Sequence, residues 1–441
     1  MKIVAEEVFE PPRSGPPEGG DALESLLALL PRKSAEAFMP LIEEDGIDIW
    51  NLRFRSGLDL FSEEEYDIVR RIQNGPKSTF STPSRHVVII LKATRLCNLR
   101  CTYCHSWRSG AGNVMPLQTL ANISHQVLTS PHIDEVDFVW HGGEVTLLPI
   151  EYVERALWIQ QQYAAPNMKI ANSLQTNATR ITPEWIELFK KYRVNIGVSI
   201  DGPPEVHDLR RVDKKGQGTS AAVQRGISML QASGLRVGAL AVVDECVIKL
   251  GPRAYLEYLV DLKVPAVALL NALPSNSIRD SDESWLPWKV FSDFLRDLFD
   301  VWWRDYRSAI TIRELQALVD AVKAGYTGLC IYRENCMGRY LTIEPNGDVS
   351  ACDKYVGDPD FTFGNIESIG LGEMMRDSTK LASAIKVVDD AKLHTSGCPE
   401  YAICSGGCPH DVRLRQLHGK EGQVECCGLR SLIGDVRNTI L

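Results

Sequence analysis

Apolar residues follow two alternating patterns between about residues 85 and 310. Short runs rich in β-branched residues are typical of buried strands, and between them apolar residues recur at the three- and four-residue spacing of amphipathic helices. This alternation favours a parallel sheet, because right-handed crossovers bring successive strands side by side. The predicted strands are Val87–Leu91, Val136–Trp140, Ile170–Leu174, Asn195–Ile200, Val237–Val243 and Ala266–Leu269. The predicted helices are Leu117–Leu128, Glu151–Gln162, Pro183–Lys191, Ala221–Ala232, Arg253–Leu262 and Trp288–Tyr306.

The first 84 residues follow a different pattern. Residues 10–20 are rich in proline and glycine, which predicts a flexible arm. Residues 34–76 predict a small accessory unit with two strand-like pieces, Phe38–Ile42 and Ile47–Phe54, and a helix. That helix begins with a capping box, in which Ser62 is followed three residues later by Glu65. The unit is either a packing appendage or a docking surface for a peptide substrate.

The last third of the chain is rich in cysteine. Eight of the twelve cysteines lie between Cys330 and Cys427, among many glycines and few long helical patterns. Such a composition predicts a small domain in which metal clusters compensate for a thin hydrophobic core. We therefore divide the chain into an N-terminal arm and accessory unit (1–84), a strand–helix domain (85–310), a bridging helix (311–325) and a cysteine-rich domain (326–441).

Composition narrows the classes of function. A net charge of −9 argues against a bulk nucleic-acid binder, and the 441 residues contain no run of eighteen apolar residues, so no membrane span is predicted. The N-terminus lacks the apolar region of a secretory signal. Twelve cysteines without an export signal indicate metal ligands rather than disulfides, which predicts a cytoplasmic protein.

Three cysteines follow the first predicted strand on one short loop. Cys97, Cys101 and Cys104 have the spacing C-x3-C-x2-C. Three thiolates can hold three irons of a [4Fe–4S] cube and leave the fourth iron without a protein ligand. Chemistry can take place at that open iron.

Other polar motifs lie where further strands end. In a parallel β/α barrel, groups at the carboxyl ends of strands gather at one mouth. A barrel or partial barrel therefore brings all of these motifs together, and we prefer it to a flat sheet. The motifs are His141-Gly142-Gly143-Glu144, Gln175-Thr176-Asn177, Ser199 with Asp201, and Asn271.

This set of motifs resembles the radical S-adenosylmethionine (SAM) enzymes. The resemblance implies that the amino and carboxylate groups of SAM bind the open iron, and that the Gly-Gly-Glu segment receives the amino group. Glycine allows close approach of the backbone to a ligand, and Glu144 can accept a charge-assisted hydrogen bond. An aromatic ring against the adenine is also implied, for which Tyr103, His105 and Trp107 are the candidates. The implied contacts to SAM or substrate are Gly142, Gly143, Glu144, Gln175, Ser199, Asp201 and Arg211, although buried Ser and Asp also serve simply to satisfy backbone groups.

The cysteine-rich region resembles the auxiliary-cluster domain of the same family, called SPASM, which peptide-modifying members carry. The resemblance implies one auxiliary [4Fe–4S] cluster on four cysteines and a second on three, although zinc is the alternative metal. Where the family has a further cysteine, this chain has Thr395. The second cluster then has an open iron, takes Cys427 or His394 as a ligand, or is absent. The implied ligands are Cys330, Cys336, Cys352 and Cys408 for the first cluster, and Cys398, Cys404 and Cys426 for the second.

The resemblance implies a partial (β/α)6 TIM-like barrel of the α/β class, with an N-terminal accessory segment and a C-terminal SPASM domain. It also implies a reaction. A ferredoxin- or flavodoxin-type protein reduces the first cluster, SAM is cleaved to a 5′-deoxyadenosyl radical, and the radical removes a hydrogen from a substrate side-chain carbon. The substrate radical then passes an electron to an auxiliary cluster. Asp353 follows Cys352 at the position where sulfatase-maturating relatives carry a proton-accepting aspartate, although such a residue can also cap a turn.

Three functions remain open from the sequence. The preferred one is a maturase that crosslinks a ribosomally made precursor peptide, through a carbon–carbon cyclophane or a thioether. The alternative is an anaerobic sulfatase-maturating enzyme that oxidises Cys or Ser to formylglycine, which the Cys352-Asp353 pair favours. The third is a non-catalytic iron–sulfur or zinc sensor. The expected partners are a peptide or protein substrate and the reductant, with no nucleic acid and no membrane.

Overall fold

The computed structural model describes residues 60–82, 85–104, 106, 112–273, 285–326, 328–333, 335–418 and 428–441. The expected arm at 10–20 and the strand-like pieces Phe38–Ile42 and Ile47–Phe54 lie outside these residues.

One open sheet of ten strands organises the described chain, in the order β10-β9-β8-β1-β2-β3-β4-β5-β6-β7. The pairs from β8 through β1 to β7 are parallel, whereas β9 pairs antiparallel with both β8 and β10. The sheet is not closed, which agrees with the expected partial barrel. The strands are β1 (His86–Thr94), β2 (Glu135–Gly142), β3 (Lys169–Thr176), β4 (Asn195–Ser199), β5 (Val237–Val243), β6 (Ala266–Asn271), β7 (Thr311–Ile312), β8 (Tyr340–Ile343), β9 (Asp348–Ser350) and β10 (Thr362–Asn365).

Helices connect the strands and cover the sheet. Each expected strand of the central domain is present, with ends within three residues of the prediction. The helix expected over 288–306 is α-helical only to Val301 and continues as a π-helical turn, Trp302–Tyr306. The α-helices are α1 (Glu63–Gln73), α2 (Leu117–Leu128), α3 (Ile150–Tyr163), α4 (Pro183–Lys191), α5 (Pro204–Arg210), α6 (Ser220–Ala232), α7 (Glu245–Leu250), α8 (Pro252–Asp261), α9 (Trp288–Val301), α10 (Arg313–Ala324), α11 (Leu371–Asp377), α12 (Thr379–Leu393), α13 (Tyr401–Cys404), α14 (Pro409–His418) and α15 (Arg430–Ile440).

The cysteine-rich region shares the central sheet, which the sequence pattern did not predict. Strand β8 pairs in parallel with β1, with Leu91 opposite Ile343. The β8–β9 hairpin then leads directly to Cys352. Because β1 also leads to the loop of Cys97, two of the cysteine groups extend from neighbouring strands.

Helix α1 anchors the N-terminal segment to the barrel. Its expected capping box is present, since Ser62 Oγ accepts from Glu65 N at 3.2 Å and Ser62 N donates to Glu65 Oε2 at 2.9 Å. On the outer face of the barrel, Tyr163 Oη donates to the carbonyl of Val69 at 2.6 Å, and Arg155 pairs with Glu65 at 3.0 Å. Helix α1 is thereby fixed next to α3.

A search of the described helices for a stretch long and apolar enough to cross a bilayer finds none.

Candidate active site

The loop after β1 holds its three cysteines close together. Cys101 is buried, Cys97 and Cys104 are partly buried, and all three are free thiols. Burial raises the pKa of Cys101 to about 11, while charges on Cys104 and Cys97 add to the shift. Backbone N–H groups of Leu99 and Ser106 lie 3.4 Å from the sulfurs of Cys97 and Cys104 respectively. Such donors stabilise negative charge on sulfur, which suits a thiolate ligand set.

A glycine pair lies directly against this loop. At Gly142, a Cβ atom would come within 2.1 Å of the carbonyl oxygen of Thr94. At Gly143, it would come within 2.0 Å of the carbonyl oxygen of Leu96, and the Gly143 N–H donates to Thr94 O at 2.7 Å. Only glycine allows this close approach of two backbones. The end of β2 and the cysteine loop are therefore fixed relative to each other.

Glu144 is buried, and its carboxylate accepts hydrogen bonds from neighbouring residues of the protein. Its Oε1 accepts hydrogen bonds from Thr146 N, Thr146 Oγ1 and Thr176 Oγ1, and its Oε2 accepts from Asn177 N at 2.7 Å. Three of these donors share Oε1 and one bonds Oε2, so the carboxylate is held on both oxygens while Oε2 keeps room for a further donor. In this arrangement Glu144 joins the loop after β2 to the end of β3.

Polar atoms without protein partners surround the same strand ends. Gln175 Nε2 donates to Ser199 Oγ at 2.9 Å, while its Oε1 is buried and makes no hydrogen bond to the described residues. Within the same part of the chain, Asn271 Oδ1 and Arg211 Nε are also buried without a partner. Buried polar groups of this kind are costly unless a ligand or water satisfies them. The residues present therefore fit a polar ligand such as SAM.

Tyr103, Asp201 and Arg211 form one buried network. Tyr103 Oη donates to Asp201 Oδ2 at 2.6 Å and accepts from Arg211 Nη1 at 2.6 Å. Burial raises the pKa of Asp201, although the Arg211 guanidinium opposes that shift. The other two candidate rings, His105 and Trp107, lie outside the described residues.

Asp353 reaches the mouth of the barrel from the cysteine-rich domain. It forms an ion pair with Lys92 of β1, and Lys92 Nζ lies 2.9 Å from His141 Nδ1 on β2. Burial alone raises the pKa of Asp353, but Lys92 and His141 outweigh it and hold that pKa well below its ordinary value. Lys92 is not among the site residues predicted from the sequence. A lysine in the middle of an apolar strand run was the signal available for it.

Four cysteines of the C-terminal domain form a second group. Cys330, Cys336, Cys352 and Cys408 lie close together, since charges on Cys336, Cys408 and Cys330 raise the pKa of Cys352, and charge on Cys330 also raises the pKa of Cys336 and Cys408. Burial is the larger cause and raises the pKa of Cys336 to about 12 and of Cys408 to about 11. Lys354 Nζ lies 3.7 Å from Cys408 Sγ and 2.8 Å from Asp411 Oδ1. Four converging thiols with a nearby cation suit an anionic four-thiolate metal centre.

The third set of cysteines is only partly described. Cys398 is partly buried and Cys404 is buried, whereas Cys426 and Cys427 lie outside the described residues. Thr395 is buried, and its Oγ1 donates to Lys392 O at 2.9 Å. Thr395 also packs against Gly406, where a Cβ atom would come within 2.1 Å of Thr395 Oγ1. His394 is exposed. Thr395 is thus committed to the local fold.

His86, Glu135 and Asp137 form a further cluster of metal-ligand type at the opposite end of the sheet. Arg339 Nη2 lies 3.0 Å from His86 Nδ1, and arginine can only donate, so Nδ1 accepts. In the neutral ring Nε2 then carries the proton and donates to Asp137 Oδ2 at 3.0 Å. A metal ion needs the lone pair of that nitrogen, so we interpret this cluster as an ion-pair network.

An open parallel sheet with a three-cysteine loop at its carboxyl edge, joined to a domain with a four-cysteine group, defines an iron–sulfur enzyme. Residues 91–251 match the radical SAM superfamily, and residues 330–409 match SPASM, an iron–sulfur cluster-binding domain. The chain therefore belongs to the radical SAM enzymes that carry a SPASM domain. These domains imply SAM, a [4Fe–4S] cluster at the radical SAM site and auxiliary iron–sulfur clusters.

Curated relatives share about a quarter of the aligned residues. The cysteine-type anaerobic sulfatase-maturating enzyme of Clostridium perfringens is 28% identical over 330 residues, which cover 73% of this chain and 88% of that protein. The serine-type enzyme of Bacteroides thetaiotaomicron is 27% identical over 373 residues, which cover 79% of this chain and 89% of that protein.

Solved structures show the same architecture. Native anSMEcpe with bound AdoMet aligns with a TM-score of 0.67 at 26% identity, covering 80% of this chain and 96% of that chain. Streptococcus suis SuiB bound to S-adenosylmethionine aligns with a TM-score of 0.51 at 14% identity, covering 90% of each chain, which shows a shared fold.

Proposed function

We propose that this enzyme oxidatively modifies a side chain of a peptide or protein substrate, which loses two hydrogens. The position of Asp353 carries this proposal. The carboxylate comes from the SPASM domain, lies beside Lys92 and His141 at the strand ends, and is 36% exposed. A partly exposed carboxylate at the mouth of the barrel is suited to accept a proton from a substrate that enters there.

Separate groups of residues hold the two clusters and orient the polar groups of the ligands. Cys97, Cys101 and Cys104 hold the cluster of the radical SAM site, and Cys330, Cys336, Cys352 and Cys408 hold an auxiliary cluster. When bound, SAM and the first cluster supply a 5′-deoxyadenosyl radical that removes a hydrogen atom from an unactivated carbon. The unpaired polar atoms of Gln175, Arg211 and Asn271 orient polar ligand groups.

Gly142, Gly143 and Glu144 give the SAM site its shape. The glycine pair brings the end of β2 against the cysteine loop, and Glu144 holds the following loop against β3. Because four donors of the fold already bond its carboxylate, we propose that Glu144 acts mainly by positioning, and that backbone carbonyls of this segment receive the amino group of SAM. The network of Tyr103, Asp201 and Arg211 fixes the opposite side of the cysteine loop.

Asp353 accepts the proton that leaves the substrate. An aspartate is ionised at neutral pH and can accept a proton, and the ion pair with Lys92 holds this carboxylate in place. The hydrogen atom, the proton and one electron, for which the auxiliary cluster would be the acceptor, together amount to the loss of two hydrogens. We further propose a ferredoxin- or flavodoxin-type protein as the reductant.

Among such reactions, we propose a crosslink in a ribosomally made precursor peptide. The anSMEcpe chain is covered almost entirely, whereas 20% of this chain has no counterpart in it. Helix α1 contacts α3 through Tyr163 and Arg155, and the length of sequence before α1 suits an added unit that grips a leader peptide. Thr395, at a position where a second auxiliary cluster was expected to have a cysteine, is a further departure.

Formylglycine formation is the second candidate. It is supported by the curated sulfatase-maturating relatives and by the Cys352-Asp353 pair. Both candidates need the same proton acceptor, so the geometry around Asp353 is compatible with either product.

Mass spectrometry distinguishes the two reactions. The enzyme is purified without oxygen and incubated with SAM, dithionite and either a small peptide encoded beside its own gene or a cysteine-containing sulfatase peptide. A crosslink removes two hydrogens and leaves no aldehyde. Formylglycine made from cysteine exchanges sulfur for oxygen with loss of two hydrogens, and the product reacts with a hydrazide. A protein that carries zinc and releases no 5′-deoxyadenosine would contradict both candidates.

A further inference from the structure

His141 lies at the centre of the site but has no role of its own in the proposed reaction. It lies on β2 immediately before Gly142, and its register partner on β1 is Lys92. The imidazole Nδ1 is 2.9 Å from Lys92 Nζ and 3.9 Å from Asp353 Oδ2. The ring therefore lies beside both the glycine pair and the proposed proton acceptor.

Lys92 determines which ring nitrogen of His141 carries the proton. An ammonium group can only donate, so Nδ1 of His141 must accept the hydrogen bond. In a neutral imidazole one nitrogen accepts and the other donates, which places the proton on Nε2. The buried lysine thus fixes one tautomer of the ring.

The charged groups around His141 keep the ring neutral. They are Lys92 on β1, Arg95 on the loop after β1, and Asp353 from the C-terminal domain. Burial, together with Lys92 and Arg95, lowers the pKa of His141 to about 4, although Asp353 opposes this shift. At neutral pH the ring is not a proton acceptor, because Nδ1 is bonded to Lys92 and Nε2 already holds a proton.

The donor nitrogen of His141 is open to a ligand. The side chain is 26% exposed, while Lys92 beneath it is completely buried. Nε2 hydrogen-bonds to none of the described residues, and it is not among the buried polar atoms. The ring therefore presents an N–H donor next to the acceptor carboxylate of Asp353.

We propose that His141 is a substrate-positioning residue that donates its Nε2–H to a carbonyl oxygen of the peptide at the residue being modified. This inference rests on the proposed modification of a peptide. Asp353 accepts the proton on the same side of the substrate, so the two side chains contact it together. Lys92 acts through His141 by holding the ring in the donating tautomer. A donor and an acceptor side by side complement a peptide group, which carries one of each.

The tautomer is tested in the full-length protein with its iron–sulfur clusters in place. Nitrogen-15 NMR of histidine-labelled protein, compared with the His141→Gln variant, identifies the His141 signals. At pH 7 the ring should be neutral with the proton on Nε2, and Lys92→Met should give a mixture of tautomers. A charged ring, or a proton on Nδ1, in the wild-type protein would overturn the inference.

The substrate contact is tested by the yield of modified peptide for each 5′-deoxyadenosine released. His141→Phe should lower this ratio at least tenfold and raise KM for the peptide, whereas His141→Gln, which keeps an N–H donor, should restore most of it. His132→Phe, at an exposed histidine, is the matched control. Equal ratios for His141→Phe and wild type, or equal losses in the Phe and Gln variants, would refute the donor role.

The wild-type reaction separates this inference from the proposed function. A wild-type enzyme that cleaves SAM but modifies neither peptide refutes the proposed function, and the substrate contact with it. A wild-type enzyme that forms product while His141→Phe remains fully coupled refutes only the role of His141.

Discussion

Arg95 and Glu344 form a two-hydrogen-bond ion pair between the barrel and the C-terminal domain. Arg95 Nε donates to Glu344 Oε2 at 2.7 Å and Arg95 Nη2 donates to Glu344 Oε1 at 2.5 Å. Arg95 lies two residues before Cys97, and Glu344 directly follows β8, in the hairpin that leads to Cys352. The pair therefore fixes the distance between two cysteine groups that are far apart in sequence.

Replacing Glu344 by Gln should destabilise the protein strongly. Removing one partner of a largely buried ion pair leaves the other charge uncompensated, which costs about 3–5 kcal/mol. The urea midpoint of the cofactor-free protein measures this loss. Asp134→Asn, which breaks the exposed pair with Arg85, is the control and should change the midpoint little. Similar effects of the two substitutions would show that Arg95 is better solvated than its burial indicates.

Replacing Cys101 by Ala should abolish SAM cleavage, because two cysteines hold the cube poorly. Chromatography of 5′-deoxyadenosine and the iron content of the reconstituted protein measure the effect. Cys246→Ala is the control, since Cys246 lies at the start of α7, where its backbone N–H donates to Asp244 Oδ1 at 2.8 Å. Undiminished 5′-deoxyadenosine from the Cys101 variant would contradict the assignment of the cysteine loop.

Replacing Asp353 by Asn should spare SAM cleavage and reduce modified peptide at least tenfold. The amide keeps the size of the side chain but cannot accept a proton. The measurement is the ratio of product to 5′-deoxyadenosine, with Asp320→Asn, at an exposed position of α10, as the control. An unchanged product yield would show that Asp353 has only a structural role.

Replacing Lys392 by Met should weaken the C-terminal domain. The Lys392 ammonium is buried and donates to the carbonyls of Arg333 and Ser405 at 2.6 Å and of Gly407 at 3.1 Å. Methionine leaves these acceptors without that donor, at a cost of about 2 kcal/mol or more. Lower iron content and a lower thermal midpoint are expected, whereas Lys386→Met on the exposed side of α12 should leave both unchanged.

His207 should make the protein less stable in mild acid. The ring is buried, with Nδ1 accepting from Asp201 N and Nε2 donating to Thr219 Oγ1, and burial followed by the Arg211 charge lowers its pKa from 6.5 to about 4. Between these pH values the unfolded chain binds a proton that the native protein does not. Stability is therefore full above pH 6.5 and falls as the pH decreases towards 4, by at most about 1.4 kcal/mol per pH unit from this group.

Urea midpoints at pH 7.5 and pH 5 check this prediction. His207→Gln removes the titrating ring, so the difference between the two midpoints should be smaller than in the wild-type protein. An equally large difference in the variant would assign the acid sensitivity to other groups, such as His141.

Local patterns predicted most of the central domain. The β-branched runs became β1 to β6 because each strand is buried on the sheet, and the capping box of Ser62 and Glu65 is present because it needs only residues three apart. The same patterns did not predict β8, since four residues are too short for a clear alternation. Its position depends on pairing with β1, about 250 residues earlier.

The sequence by itself determined the strand–helix order and placed the cysteine loop, Gln175 and Ser199 at strand ends, because these features depend on neighbouring residues. Only the tertiary structure brought Lys92, His141 and Asp353 together and surrounded the carboxylate of Glu144 with four donors. Those contacts join separate strands and two domains, and their geometry depends on strand register and on the shared sheet. No local preference of the chain encodes such distances.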